Sequence, residues 1–328
     1  MNLSQATFWM AGRLATDCVE ISTDPSCLDR PGFWAVINTF EGQWLCARFA
    51  SVVDAPLPRA QWHGIDGLWD SSQTQSEYQS NVEKIKEKIA AGDIYQVNLC
   101  RVLSTKSEQG LQGLANRLQQ DNPAPFASYL RLPSLEIASA SPELFLKRDG
   151  AMIKSTPIKG TSKTDNFGEK DRAENVMIVD LMRNDFGSIC ESGSVDVPRL
   201  LASEAHPGLF HLVSDVVGKL RRNIQWSEIA KALLPAGSIS GAPKSSALKS
   251  IAEIEKISRG PYCGVIGWVQ GDQAVLSVGI RIFWSHGDGQ LNFGTGAGIT
   301  WASQPQGEWE ETELKAKRLI SIASGVLV

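Results

Sequence analysis

Apolar residues recur with two different periods along this chain, and the periods predict where strands and helices lie. Near the N-terminus, the apolar runs 33–37 and 44–49 flank Glu41-Gly42, which predicts a β-hairpin. A proline-rich break follows at 54–58, and residues 71–76 are rich in Ser, Gln and Thr, as is typical of a linker. The first 70 residues therefore read as short strands without assignable chemistry.

The next segment changes from helical to extended periodicity. Residues 76–91 place Tyr78, Val82, Ile85 and Ile89 on one stripe, which predicts an amphipathic helix that ends near a glycine. The strand predicted at 94–99 carries two amide side chains, Gln96 and Asn98, on one face. Ordinary exposure to solvent is the simplest interpretation of those amides.

Further elements follow from the same reasoning. A turn at Asp149-Gly150 joins two of the strands as a hairpin. The remaining predictions are helices at 111–120, 169–185, 226–234, 244–257 and 308–324, and strands at 126–132, 135–140, 144–148, 152–153, 209–220, 262–269, 274–283 and 290–293.

Two of the helices carry an unusual pair of acids at the N-terminal end of an apolar stripe. In the helix at 169–185, Asp171 and Glu174 share a face with Ile178 and Leu181. The helix at 308–324 repeats this arrangement, on a face that consists of Glu308, Glu311, Lys315, Leu319 and Ile322. Acids also complement the dipole at the start of any helix, so solvated helix ends are the alternative.

Two inward-facing acid pairs would suit a shared divalent cation. The ligands would all be oxygens, without His or Cys, and this favours Mg²⁺ over Zn²⁺. The six cysteines are scattered, which indicates free thiols in a reducing cytoplasm and no zinc site. A net charge of −4 argues against a nucleic-acid-binding surface, and no apolar run is long enough to cross a membrane.

Several polar residues are candidates for chemistry. Lys159 lies in a Gly-Thr turn close in sequence to Glu143, and it would suit an amine nucleophile or an electrostatic clamp, although a surface lysine in a polar turn is the simpler interpretation. Arg281 lies within an apolar run and requires a carboxylate partner. His211 near a strand start is by itself more typical of a core or edge residue. The glycine-rich segment 294–298 offers backbone N–H groups that an anion could approach.

The order of the motifs resembles that of the chorismate-utilising enzymes, in particular the component I group of aminodeoxychorismate synthases. The resemblance spans residues 76–325. It rests on GDIYQVNL (92–99), SPE (141–143), PIKGT (157–161), AENVMIVDL (173–181) with RND (183–185), HLVS (211–214), SGAPK (240–244), RGPYCG (259–264), GAGI (296–299) and ET (311–312).

The resemblance implies a fold and a domain organisation. The expected fold is of the α/β (α+β) class, with two packed β-sheets flanked by helices, as in component I of anthranilate synthase, and with the active site in the cleft between the sheets. Residues 76–328 would form the catalytic core, and residues 1–75 would be a shortened segment that completes the sheets. Because that segment is short, a tryptophan feedback site is not expected.

The resemblance also assigns roles to individual residues. Glu174 and Glu311 would bind Mg²⁺ directly, while Asp171 and Glu308 would hold its waters. The implied substrate-binding residues are Arg281, Tyr262, Gly296, Ala297, Gly298, Lys315, His211, Ser238, Gly160 and Thr161. Glu143 would be the general acid/base, and Lys159 the covalent nucleophile.

Two positions distinguish the subfamilies that the resemblance brings in. Relatives that form isochorismate or salicylate carry a lysine base where this chain has Gln96, and anthranilate synthases typically carry alanine where it has Lys159. The implied reaction is therefore the amination of chorismate to 4-amino-4-deoxychorismate in p-aminobenzoate and folate biosynthesis. A glutamine amidotransferase subunit would supply the ammonia. The alternatives are an anthranilate synthase component I and a non-catalytic chorismate-binding regulatory protein.

Overall fold

The computed structural model describes residues 3–162, 164–206 and 209–326 of the chain. The helices are α1 (Gln75–Ala90), α2 (Gln112–Asp121), α3 (Glu169–Gly187), α4 (Trp226–Leu233), α5 (Gly237–Ser240), α6 (Lys244–Ile254) and α7 (Pro305–Ala323). The strands are β1 (Thr7–Met10), β2 (Arg13–Ser22), β3 (Phe33–Asn38), β4 (Trp44–Asp54), β5 (Asp70–Ser71), β6 (Gln96–Lys106), β7 (Phe126–Leu132), β8 (Leu135–Ser141), β9 (Leu144–Asp149), β10 (Met152–Thr156), β11 (Ile158–Ser162), β12 (Asp196–His206), β13 (Leu209–Lys219), β14 (Gly241–Ala242), β15 (Val265–Gln270), β16 (Gln273–Val278), β17 (Ile282–Ser285) and β18 (Gln290–Ile299).

The described strands form one continuous antiparallel network. One half runs in the order β12, β13, β10 with β11, β9, β16, β15, β3, β4, β2. The other half runs β1, β7, β8, β17, β18, β6, with β5 and β14 at its edge. Because β1 pairs with both β2 and β7, it joins the halves, so the expectation of two separate sheets is wrong in this respect.

The chain passes directly between the two halves at two further points. Residues 142–143 connect β8 to β9, and residues 279–281 connect β16 to β17. Since β8 pairs with β17 while β9 pairs with β16, the two crossings lie side by side. This arrangement brings Glu143 and Arg281 to the same place in the fold.

The predicted strand 274–283 is therefore two strands. The backbone of Arg281 adopts a left-handed conformation with φ of +51°, which interrupts the pleat and redirects the chain. The strand predicted at 290–293 instead continues through the glycines to Ile299 and pairs with β6 along its length. No element was predicted for β12, in which polar and apolar residues are mixed and which is partly exposed.

The predicted helices are present with small shifts at their ends. The Ser/Gln/Thr segment is more ordered than a linker, because Thr74 caps α1 in a capping box with Glu77 and β5 pairs with β6. Gly92 follows α1 with φ of +80°, as the stop signal predicted.

The interior is apolar and holds the cysteines. One hydrophobic cluster fills the β3–β15 half and extends to α3 and α4, and a second lies beneath α2 and α7. All six cysteines are buried and free, in agreement with the sequence prediction. None of the helices in the described part of the chain has the length and hydropathy needed to span a membrane.

Candidate active site

A cavity of about 730 Å³ lies where the chain crosses between the two halves of the sheet. Its walls come from β6, β11, β13 and β18, from α3, α5 and α7, and from the two crossings. Its size and its mixture of apolar and convergent polar groups are typical of a small-molecule site. Most of the predicted site residues line it.

Glu143 lies at the first crossing and is only 4% exposed. Its carboxyl group interacts with the Ser238 hydroxyl of α5 and with the backbone of Ile158, and the charges of Lys159 and Arg281 lie nearby. Burial outweighs these favourable partners and raises the pKa of Glu143 to about 7. The group can therefore carry a proton at neutral pH.

Lys159 extends from β11 into the cavity. Burial lowers the pKa of its ammonium, and the charge of Lys315 adds to this effect, while the carboxylates of Glu174, Glu143 and Glu311 oppose it. Its Nζ reaches β18, since a Cβ added to Gly298 would lie 3.5 Å from it. The simpler interpretation of Lys159 as a surface lysine is therefore wrong.

Asn98 lines the cavity and Gln96 lies next to it at Gly298, although their shared face was interpreted as solvent-exposed. Both side chains are buried, and Gln96 is only 1% exposed. Among the described residues, Gln96 Oε1 has no hydrogen-bond partner. Its Nε2 would lie 2.5 Å from a Cβ added to Gly298, so the amide approaches the same point of β18 as Lys159 does.

Arg281 meets His211 across the cavity. Arg281 Nη2 lies 3.0 Å from His211 Nε2 on β13. Burial lowers the pKa of Arg281 to about 10, so the guanidinium keeps its charge at neutral pH. The sequence predicted a carboxylate partner for this arginine, and Glu143 contributes a favourable charge interaction with it.

The glycine-rich strand β18 forms the wall beside α7. The carbonyl of Gly296 accepts a hydrogen bond of 3.0 Å from Lys315 Nζ, so the backbone at this residue faces away from β6. By strand alternation Gly298 presents the same edge, whereas Ala297 points its backbone towards β6 and is fully buried. Tyr262 packs against Gly294, where a Cβ would collide with its ring.

The turn after Lys159 is held against the start of α3. Gly160 has φ of +87°, and a Cβ there would lie 2.9 Å from that of Asp171. A glycine is thus required for the close approach. Thr161 pairs with His211 through the backbone, and its side chain lies outside the described part of the structure.

The predicted acid pairs of α3 and α7 approach the cavity from two sides. Asp171, Glu174 and Glu311 line it, whereas Glu308 lies behind the wall and is only 4% exposed. Burial raises the pKa of Glu174. Burial acts in the same direction on Glu311, but the ammonium of Lys315, with Nζ 2.6 Å from Glu311 Oε1, holds the pKa of Glu311 below its usual value.

Lys170, for which the sequence predicted no role, lies between these acids. Lys170 Nζ is 3.3 Å from Glu308 Oε1 and 3.9 Å from Glu174 Oε1. Within the described residues, Glu308 Oε2 is buried without a hydrogen-bond partner, and no three acid, His or Cys side chains form a metal-binding cluster. The oxygen donors and the orphaned carboxylate oxygen have the chemistry that a hard cation such as Mg²⁺ prefers.

Comparison with known proteins adds the family context. Residues 40–321 match the family described as chorismate binding enzyme. The chain is 39% identical over 269 residues to aminodeoxychorismate synthase component 1 of Escherichia coli K12, covering 77% of this chain and 58% of the relative. It is 36% identical over 267 residues to anthranilate synthase component 1 of Aquifex aeolicus, covering 77% and 54%.

The fold is shared with solved structures. Anthranilate synthase component I from Streptococcus pneumoniae TIGR4 superposes with a TM-score of 0.83 at 21% identity, over 98% of this chain and 93% of that chain. The matched region spans little more than half the length of the two curated relatives.

Proposed function

This chain belongs to the chorismate-binding enzyme family, and within that family we propose that it is an aminodeoxychorismate synthase component I. The proposed reaction converts chorismate and ammonia to 4-amino-4-deoxychorismate. The product keeps the enolpyruvyl group on the ring and would serve p-aminobenzoate and folate biosynthesis.

The proposal rests on the pKa values of Lys159 and Glu143, which are shifted in opposite directions within one cavity. Burial lowers the pKa of Lys159 and raises the pKa of Glu143 to about 7. Both shifts favour the uncharged forms of these groups, which are the forms that an amine nucleophile and a general acid require. A protein that only bound chorismate would not need this pair.

The chemical sequence uses both groups in turn. The neutral amine of Lys159 forms a bond to ring carbon C2, the ring double bond shifts, and the C4 hydroxyl leaves as water with the proton of Glu143. Ammonia then forms a bond to C4, and the lysine leaves C2 with its electron pair. Glu143 takes the surplus proton from the new ammonium group, which returns both residues to their starting states.

Binding of the two substrate carboxylates is assigned to different walls. Arg281, Tyr262, Lys315 and the backbone of Gly296 and Gly298 would hold the enolpyruvyl carboxylate, with His211 fixing the guanidinium of Arg281. Ala297 supports this strand from behind, and Ser238 orients Glu143.

The ring carboxylate is assigned to the side of the cavity where α3 and α7 meet. Glu174 and Glu311 would hold Mg²⁺ there, with Asp171 and Glu308 around its waters. When bound, the ion would neutralise the ring carboxylate and orient it. Gly160 and Thr161 would adjoin the same side of the substrate, since β11 packs on the first turn of α3.

Gln96 supports amination rather than hydration. A neutral amide cannot remove a proton from water, so Gln96 is not a base for water addition. Its amide lies against Gly298, the glycine that Lys159 also approaches. A glutamine amidotransferase subunit is the proposed source of that ammonia, as the component 1 name of the relatives suggests.

The decisive experiment gives the purified chain chorismate, Mg²⁺ and ammonium chloride at mildly alkaline pH. Mass spectrometry should detect 4-amino-4-deoxychorismate, and a lactate dehydrogenase assay should detect no released pyruvate. Anthranilate with pyruvate would instead assign the chain to the anthranilate synthase reaction. No conversion with ammonium present would favour a non-catalytic binding protein.

The covalent role of Lys159 has its own test. K159A should reduce amination by at least about a hundredfold, since it removes the nucleophile, and mass spectrometry of the denatured wild-type protein during turnover should detect a chorismate-derived adduct. K147A, at an exposed lysine on β9, is the matched control and should retain wild-type turnover. Unchanged amination by K159A would rule out the covalent route.

A further inference from the structure

Lys170 connects acidic side chains that belong to two different helices. It belongs to α3, and its ammonium lies 3.9 Å from Glu174 Oε1 on the same helix and 3.3 Å from Glu308 Oε1 on α7. The side chain is 44% exposed and lines the cavity. The Lys170 ammonium is therefore shared by Glu174 and Glu308, two acids that the proposed metal site would also use.

Glu308 shows why a cation belongs at this position. Its carboxylate is almost completely buried, and in the described part of the chain its Oε2 has no hydrogen-bond partner. An ionised carboxylate in such surroundings is stable only beside a compensating charge. The ammonium of Lys170 supplies that charge from the cavity side.

We infer that Lys170 is the resident cation of this acid cluster, and that a divalent cation must displace its ammonium in order to bind. The inference rests on the proposed function, because Mg²⁺ at Glu174 and Glu311 is part of that function. Lys170 would thus be a positioning residue. It holds α3 and α7 together in the metal-free chain and sets how tightly the divalent cation binds.

The direction of the effect follows from the charges that face Lys170. Glu174 and Glu308 attract a divalent cation, while the Lys170 ammonium both repels it and competes for the same oxygens. Lys315 pairs with Glu311 and with the carbonyl of Gly296, and this pairing is the same in every Lys170 variant. Removing the charge of Lys170 should therefore strengthen divalent-cation binding, although it removes a contact from the folded protein.

The first test titrates Mg²⁺ into metal-stripped protein by calorimetry at low ionic strength, without chorismate. K170M should bind Mg²⁺ roughly tenfold more tightly than the wild type, and added salt should reduce the difference because the lysine is half exposed. K170R keeps the charge and should stay within about threefold of the wild type. K317M removes an exposed lysine from α7 and should leave the affinity unchanged.

The second test needs no metal and measures the coupling between Lys170 and Glu308. In EDTA, K170M should lower the urea midpoint, because it leaves Glu308 buried without its counter-charge. Adding E308Q to K170M should recover part of that loss, since the unpaired charge is then absent. Additive effects of the two substitutions would contradict the pairing.

The outcomes separate this inference from the proposed function. Equal or weaker Mg²⁺ binding by K170M overturns the inference, while amination of chorismate by the wild type would leave the function intact. Absence of Mg²⁺ binding in all variants, measured at millimolar concentrations, overturns both the inference and the metal assignment. Tighter binding by K170M together with a non-additive cycle supports the inference even if the amination assay fails.

Discussion

Individual residues in the cavity carry energetic costs that only function explains. Glu143 is buried with a pKa of about 7, well above its ordinary value of 4.5. Between those two pH values the folded chain holds a proton that the unfolded chain has released. The folded state therefore loses stability as pH rises through this window, by roughly 3 kcal/mol in total.

E143Q should remove this dependence because glutamine does not titrate. The difference in unfolding free energy between E143Q and the wild type should grow in favour of E143Q from about pH 4.5 to about pH 7 and then level off. Urea denaturation at a series of pH values measures it. A constant difference across the window would mean that the carboxyl group is not buried in this way, and amination activity should be lost in E143Q at every pH.

Gly298 is the second residue-scale test, because its missing side chain leaves room for two polar groups. A Cβ there would lie 2.5 Å from Gln96 Nε2 and 3.5 Å from Lys159 Nζ. G298A should lower kcat/KM for amination at least about tenfold by misplacing these groups.

A matched glycine provides the control for G298A. Gly307 also lines the cavity, but a Cβ there would meet only Gln304, at 3.9 Å. G307A lies in α7 and should be stabilising by up to about 1 kcal/mol, with activity retained. Equal activity in both variants would show that the wall at Gly298 does not position the amide and the amine.

At the scale of elements, the Arg259 side chain connects several segments that lie beside the cavity. Its guanidinium pairs at 2.7 Å with Glu255, which directly follows α6, and donates to the carbonyls of Ile239 in α5 and Asn98 in β6. All these groups are buried, so the pair is held by hydrogen bonds as well as by charge. One side chain thus holds α5 and β6 together, and both of its carbonyl partners belong to residues that line the cavity.

R259M should destabilise the fold by about 3–5 kcal/mol, because it leaves Glu255 buried and two carbonyls unsatisfied. The comparison is R183M, which breaks the exposed pair with Asp180 and should cost less than about 1 kcal/mol. Urea midpoints measure both. A loss of similar size in the two variants would contradict the role given to the buried arginine.

On the scale of the whole molecule, the N-terminal strands are continuous with the rest. β1 pairs with β7, and β3 pairs with β15, so the strands between residues 7 and 54 share one sheet with the remainder of the described chain. The boundary predicted between residues 75 and 76 remains a prediction. Removal of the N-terminal strands would leave two long strand edges and part of the main core exposed.

A chain that begins at residue 72 should therefore fail to unfold cooperatively. Calorimetry and near-UV circular dichroism would be expected to show neither a sharp transition nor fixed aromatic packing. A soluble fragment with a sharp thermal transition would instead support residues 76–328 as an independent domain.

The sequence by itself determined the local elements and the types of chemical group. Helix stripes, the Thr74 and Gly92 end signals and the hairpin at Glu41-Gly42 are local properties, and they gave the helices and many strands with small errors at the ends. The ordered motifs also indicated the family. Such signals can be recognised in the sequence alone because they depend on neighbours within a few residues.

Only the tertiary structure decided which of these groups meet. The crossing at Arg281, the burial of Gln96 and the position of Lys170 between two helices depend on pairings between residues far apart in the chain. In the sequence of a strand, an amide that will be buried cannot be told from one that will be exposed until the elements that pack on the strand are known. The pKa values of Lys159 and Glu143 depend on burial in the same way, so their chemistry emerges only when the halves of the sheet close around them.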